Sequence, residues 1–190
     1  FISKAIYEGK LESDPGNDTQ KIDVPNDYEG ILNKEAGIVY VPISHEGNTQ
    51  SSNEEVEKIV KLAKELLGRT YTDKKGKQKI IEWDDILFVA PYNHQVNKLK
   101  YALGERARVG SVDKFQGQEA PIVFLSMCAS NANDSPRGMD FLFNENRINV
   151  AISRAQCLAI VVYSPSLTHT FANNVQQASM MNVFCMLVQQ

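Results

Sequence analysis

The sequence predicts an α/β domain, a mainly parallel sheet with helices packed on both faces. Three observations predict it. Short and nearly continuous apolar runs recur at 37–43, 86–90, 109–112, 122–125 and 158–163. Stretches with helical spacing alternate with several of them. A strand that is apolar throughout, instead of every second residue, belongs to a sheet covered on both sides. Finally, 190 residues suffice for one such domain with a substantial core.

The elements follow in order. Residues 1–10 mix apolar and polar side chains, and 14–37 are rich in Asp, Asn, Pro and Gly, the composition of a polar connection or surface excursion. Residues 1–36 are therefore read as partly linker, and 37–190 as the core of a single domain. Gly37-Ile-Val-Tyr-Val-Pro-Ile43 is β-branched and predicts a buried strand ending near Pro42. Ser52 and Glu55 predict a capping box that opens a helix. Val56, Ile59, Val60, Ala63 and Leu67 recur at helical spacing, Glu54–Lys58 and Glu57–Lys61 can pair on the wet face, and Gly68 ends the helix. Asp73-Lys74-Lys75-Gly76 reads as a turn in a basic, mobile loop. The 86–90 strand is broken by Pro91 and followed by an amphipathic helix through Leu103; the remaining strands are expected at 109–112, 122–125 and 158–163. Ala129–Asp140 is a polar loop, and 171–190 closes the chain with a helix carrying Val183, Phe184, Leu187 and Val188.

Composition narrows the function. Apolar residues make up 43% and charged residues 23%, an ordinary globular balance. No apolar run is long enough to span a bilayer and no signal-peptide pattern opens the chain, so no membrane partner is expected. Cys128, Cys157 and Cys185 lack metal spacing, as do His45, His94 and His169, and no metal ligands are assigned; a reducing cytoplasm is the expected location. The net charge of −3 argues against an autonomous, charge-driven nucleic-acid binder. It leaves room for a domain that touches a strand with a few residues from a composite cleft. The chain opens on Phe1, and is read as a piece of something longer.

Three stretches carry chemistry. In open α/β sheets, ligands collect beyond the carboxyl ends of strands. After the second strand comes Pro91-Tyr92-Asn93-His94-Gln95, where an aromatic and an amide can contact a base or ribose. Read alone, the same segment needs no ligand: Pro91 stops the strand, Asn93 caps the next helix and Tyr92 packs. Gly110-Ser-Val-Asp-Lys-Phe-Gln-Gly-Gln-Glu119 places Gly117 where backbone must turn or approach closely. Gln116 and Glu119 can hold ribose hydroxyls or a phosphate-bound water, and Ser111 and Lys114 can touch a nucleic-acid backbone. In Asn146-Arg-Ile-Asn-Val-Ala-Ile-Ser-Arg-Ala155, small residues permit tight packing, leaving Asn149, Ser153 and Arg154 on a polar side. An arginine there can reach a γ-phosphate; the alternative for Arg154 and Arg147 is a surface salt bridge.

These last two blocks resemble motifs V and VI of superfamily 1 helicases, and 91–95 resembles motif IV. Residues 86–95, 108–127 and 138–165 together resemble the C-terminal RecA-like domain of the Upf-like branch, a three-layer fold of the P-loop NTPase type. Phe1–Leu11 is similar to the segment that joins the two motor domains in that branch, and Val39–Leu67 to its strand-and-helix unit. Ser135–Leu142 and the closing helix are most similar to bacterial proteins that fuse a RecB-like nuclease to such a helicase. The resemblance implies the second motor domain of an ATP-dependent helicase or translocase on single-stranded DNA or RNA. Arg154 would be its arginine finger; Tyr92, Gln95, Gln116, Gly117, Glu119 and Arg147 would lie at the nucleotide; Ser111, Lys114 and Asn149 would lie towards the strand. ATP with Mg2+ is the implied cofactor, and a first RecA-like domain and a RecB-like nuclease in cis are implied partners. Many relatives carry an arginine at or just before the stretch matching 49–54, where this chain has Gln50, Ser51 and Ser52, so no phosphate contact is assigned there. The chain also lacks Gly-x-x-x-x-Gly-Lys-Ser/Thr and a strand ending in paired Asp-Glu, and is not expected to hydrolyse ATP alone. The competing reading is a non-catalytic RecA-like docking module for nucleic acid or protein.

Overall fold

The computed structural model describes residues 19–188; residues 1–18, with the joining segment expected at Phe1–Leu11, and residues 189–190 lie outside that description. Its elements run β1 (Lys21–Ile22), β2 (Gly37–Pro42), α1 (Asn53–Leu66), β3 (Thr70–Thr72), β4 (Gln78–Ile80), β5 (Ile86–Val89), α2 (Asn93–Leu103) and β6 (Arg108–Gly110). There follow β7 (Ala120–Ser126), α3 (Gly138–Leu142), α4 (Glu145–Ser153), β8 (Ala155–Tyr163) and α5 (Val175–Val188). Short 3-10 turns lie at Trp83–Asp85, Asp113–Phe115 and Pro165–His169.

Five strands form a parallel sheet in the order β2-β8-β7-β5-β6, as the apolar runs predict. Successive side chains on a strand point to opposite faces. On β5, Leu87 and Val89 pack with Met139 and Leu142 of α3, Ile152 of α4 and Phe184 of α5. Ile86 and Phe88 enter the other layer, with Ile59, Leu62 and Leu66 of α1 and Leu99 of α2. Both faces are dry, which is why no polar residue interrupts β5. Phe88 stacks on Phe124 at 5.3 Å between ring centroids and ties the second layer together across neighbouring strands.

Local differences from the sequence reading have local causes. Ser52 does cap α1, its Oγ accepting the Glu55 N–H at 3.1 Å, but the box does not close. Glu55 turns inward, and the Ser52 N–H donates instead to Gln95 Oε1 at 2.9 Å. Glu54 gives its carboxylate to Ser52 and Asn48, not to Lys58. Asn93 is not a cap: α2 has Tyr92 at that position, with no side-chain hydrogen bond. β6 stops at Gly110, because Val112 already has helical angles leading into the 3-10 turn. β8 starts at Ala155, three residues before the apolar run, since β7 pairs with it from Ala120.

The largest difference is a second, antiparallel sheet, β1-β3-β4, which the sequence reading does not contain. The stretch expected as a mobile loop is its hairpin turn. Asp73 Oδ1 accepts the N–H groups of Lys75 and Lys77 at 2.8 and 2.9 Å, and Gly76 takes the positive φ that closes the turn. Among the described residues no helix is long and apolar enough to cross a membrane.

Candidate functional site

The predicted residues divide between two edges of the sheet. At the carboxyl edge, Tyr92 follows β5 with its ring 5.2 Å from Phe141 and its hydroxyl bonded to Ser135. Gln95 is fully buried. Its Oε1 accepts from Ser52 N, and its Nε2 donates to Ser52 O at 3.2 Å and Ser126 Oγ at 2.9 Å. Tyr92 and Gln95 thus build this edge, the second by tying the start of α1 to the end of β7, and their polar atoms are spent inside it.

Ser111 lines a small apolar recess with Pro91, Met127, Phe141 and Arg147. Arg147 stacks 4.4 Å from the Phe141 centroid and lies 3.6 Å from the Asp113 carboxylate, while Arg137 covers the ring at 4.6 Å. Lys114 folds back, its Nζ donating to Val109 O at 2.9 Å. Arg147 therefore stands with Ser111, not with Arg154. Arg154, the C-cap of α4, lies seven positions after Arg147, about 10 Å along the axis at the α-helical rise. Asn149 is buried, so the polar side expected for Asn149, Ser153 and Arg154 is not one surface.

Beneath the same edge lies a buried network that the motifs do not announce. His45 Nε2 bonds Glu55 Oε1 at 3.0 Å and His45 Nδ1 bonds Ser130 Oγ at 2.7 Å, both side chains being fully buried. Glu55 Oε2 accepts from Ser126 Oγ at 2.6 Å and from the Cys128 N–H at 3.0 Å. Burial raises the Glu55 pKa above the usual carboxylate range, against the hydrogen bonds from His45, Ser126 and Cys128 that lower it. Cys128 sits at φ +53, a strained angle for a side-chain-bearing residue, and its bond to Glu55 holds it there. Ser130, His45 and Glu55 stand in the order of a hydrolytic triad, but all are buried and no substrate reaches them. A sequence signal for the network did exist: Glu55, Ile59, Leu62 and Leu66 share one helical face, and that face is the core.

The amino edge is built differently. Ala120 and Ala155 are register partners at the starts of β7 and β8, and Ala120 N donates to Arg154 O at 3.1 Å. That bond brings Glu119 and Arg154, distant in sequence, to adjacent positions. Gln116, Gly117 and Glu119 are exposed on a turn whose sharpest residue is Gly117, at φ +77. Arg154 is half-buried, its Nε lies inside without a hydrogen-bond partner, and its guanidinium forms no ion pair among the described residues. Glu119 has one long contact, accepting from Gln156 Nε2 at 3.4 Å. A cation on a fixed stem with no partner in its own domain can meet an anion from outside, and the neighbouring amide and carboxylate can hold hydroxyls.

Residues 1–166 match the protein family described as an AAA domain. The chain belongs to that family. This AAA domain is 37% identical over 131 residues to mov-10-B.1 of Danio rerio, covering 61% of the chain and 13% of that protein. It is 39% identical over 88 residues to the RNA helicase Mov10l1 of Homo sapiens, covering 43% and 7%. Over 199 residues it is 27% identical to the DNA-binding protein SMUBP-2 of Rattus norvegicus, covering 97% and 18%. The AAA domain is a helicase-family domain of the superfamily 1, Upf-like type, and it spans 18% or less of the length of these relatives. Among its described residues no group of three His, Cys, Asp or Glu side chains could hold a metal ion. The Arg154 guanidinium and the polar side chains of Gln116 and Glu119 are groups that can bind phosphate oxygens and hydroxyls.

Proposed function

We propose that this chain is the second motor domain of an ATP-dependent nucleic-acid helicase or translocase, closing over a nucleotide held by a first RecA-like domain. The observation that carries this reading is the Ala120–Arg154 backbone bond, which sets an unpartnered arginine beside Glu119 at one exposed edge. Arg154 offsets the negative charge that develops on a γ-phosphate as it is transferred to water. Gln116 and Glu119 orient ribose hydroxyls or the phosphate-bound water, and Gly117 lets the backbone approach. ATP with Mg2+ supplies the phosphoanhydride bond that is broken, its metal and phosphate cradle coming from the first domain. Ser111, Lys114 and Arg147 form the strand side at the carboxyl edge, with Asn149 packed beneath them and with Tyr92 and Gln95 as the residues that position it. Closure and opening of the two domains would then move the strand. The names of the relatives include both an RNA helicase and a DNA-binding protein, so the substrate is proposed as single-stranded nucleic acid without a choice of sugar. A RecB-like nuclease in cis belongs to the proposal through the 135–142 loop and the closing helix.

The test is nucleic-acid-stimulated ATPase activity of the full-length protein carrying this domain, wild type beside Arg154→Ala. The expected result is a loss in kcat of roughly 10³-fold with ATP binding retained. Equal rates would make Arg154 structural. No turnover by the wild type on either DNA or RNA would favour a docking module.

A further inference from the structure

A cleft of about 510 Å³ opens beside the amino-edge residues. One wall is the β3–β4 hairpin, which presents Lys74, Lys75, Lys77 and Lys79. The other wall is Glu119 and Ser153, from the two blocks that resemble motifs V and VI, with Gln156 of β8. Tyr71 joins the walls, its hydroxyl donating to Gln156 Oε1 at 3.4 Å and accepting from Gln20 Nε2 at 2.9 Å.

The lysine wall is fixed in place. Tyr71 pairs with Lys79 and Thr72 with Gln78 across the hairpin, and Asp73 N donates to Lys77 O at 2.9 Å across its turn. The turn's own acid caps its backbone. The Asp73 Oδ1 that accepts from Lys75 and Lys77 accepts from their backbone, not from their ammonium groups. Lys79 pairs with Asp85, whereas Lys74, Lys75 and Lys77 form no ion pair among the described residues. Within a chain of net charge −3, three lysines without an ion pair face two carboxylates, Asp73 and Glu119, in this cleft, which leaves the hairpin wall positive. Its volume is that of a small-molecule site, which runs from about 300 to 1,000 Å³. A groove for a polymer backbone would continue past the residues assigned to the strand. Ser111 and Arg147 instead lie at the other edge, the length of β7 away.

We infer that the β3–β4 hairpin is a phosphate-binding wall of the nucleotide cleft, taking the polyphosphate chain of a nucleoside triphosphate that Glu119 and Gln156 face from the opposite side. The inference rests on the motor-domain reading and extends it: these lysines contribute positive charge that Gln50, Ser51 and Ser52 do not.

The experiment compares wild type with K74E/K75E/K77E, and with the milder K74Q/K75Q/K77Q, in the full-length protein. KM for ATP is measured at saturating single-stranded nucleic acid, and nucleic-acid affinity is measured separately by anisotropy. The expected result is a rise in KM on the order of tenfold for the glutamate variant, less for the glutamine variant, with kcat and nucleic-acid affinity unchanged. An unchanged KM overturns the proposal, and so does a loss confined to nucleic-acid affinity, which would make the hairpin a strand contact. Titration of the 190-residue chain with inorganic tripolyphosphate needs no turnover. Lysine-dependent binding supports the wall even if the wild-type protein fails to hydrolyse ATP and the motor reading falls, and absence of such binding in that case overturns it. An active Arg154→Ala enzyme with a lysine-dependent KM would remove the arginine finger and keep the wall.

Discussion

The two edges of the sheet treat their polar groups in opposite ways. At the carboxyl edge the side chains of His45, Ser52, Glu55, Gln95, Ser126 and Ser130 are buried and bonded to one another or to nearby backbone. At the amino edge Gln116 and Glu119 are exposed, and Arg154 has an inward Nε with nothing to bond. Buried polar groups that satisfy one another rigidify a fold, while groups left without an internal partner are available to a ligand. The motifs resemble helicase motifs at both edges, yet much of the carboxyl-edge polarity is architecture. Substitutions there should act on stability first, and those at the amino edge on turnover first.

The harshest way to break the contrast is Glu55→Ala. It leaves His45, Ser126 and the Cys128 N–H without their common acceptor, and each buried polar group so stranded costs about 1–3 kcal/mol. Chemical denaturation should show that loss, and a cost within experimental error would mean the network holds nothing. Glu55→Gln sharpens the same point through pH. The folded-state pKa of Glu55 is raised, so the folded protein holds this proton more tightly than the unfolded chain. Its contribution is full below the ordinary glutamate value of about 4.3 and is lost as pH rises through the raised folded value. Wild type should therefore lose stability relative to Glu55→Gln as pH climbs through that window. A pH-independent difference would show that Glu55 binds its proton equally well in the folded and unfolded protein, and a wild type that gains stability as pH climbs would show a lowered folded value.

Gln95→Ala comes next. It frees the Ser52 N–H and O and one partner of Ser126, for a cost of about 1–3 kcal/mol. Urea midpoints of the two proteins measure it. If Gln95 contacted nucleotide directly, the variant would instead keep its stability and lose ATP affinity.

What could be read in advance follows the same division. The apolar runs fixed β5, β7 and most of β8 because a strand buried on both faces has no polar position to blur it. Ser52 and Gly68 marked the ends of α1 through local chemistry alone. β1, β3 and β4 are not legible because strands of two or three residues carry no periodicity, and a run of lysines reads as solvated loop. The separation of Arg147 from Arg154 is legible in helix geometry, because α4 holds Arg147 in its first turn and ends on Arg154 as its C-cap. The meeting of Glu119 and Arg154 is not, since it depends on which strand pairs with which.

The smallest expected effect is the most pointed, because it probes the amino edge through backbone alone. Gly117 has φ +77, and a Cβ built there meets nothing within 4 Å. Gly117→Ala therefore creates no clash, and its cost is the left-handed conformation itself, roughly 1–2 kcal/mol for a residue bearing a Cβ. Asn tolerates that region better, so Gly117→Asn should recover part of the lost stability in thermal unfolding. Neither substitution touches a bonded side chain, in contrast with Glu55 or Gln95. If Gly117 serves close approach to a nucleotide, both variants lower ATPase turnover, and Gly117→Asn does so despite its recovered stability. If it serves only the turn, activity follows stability and the Asn variant outperforms the Ala variant on both counts.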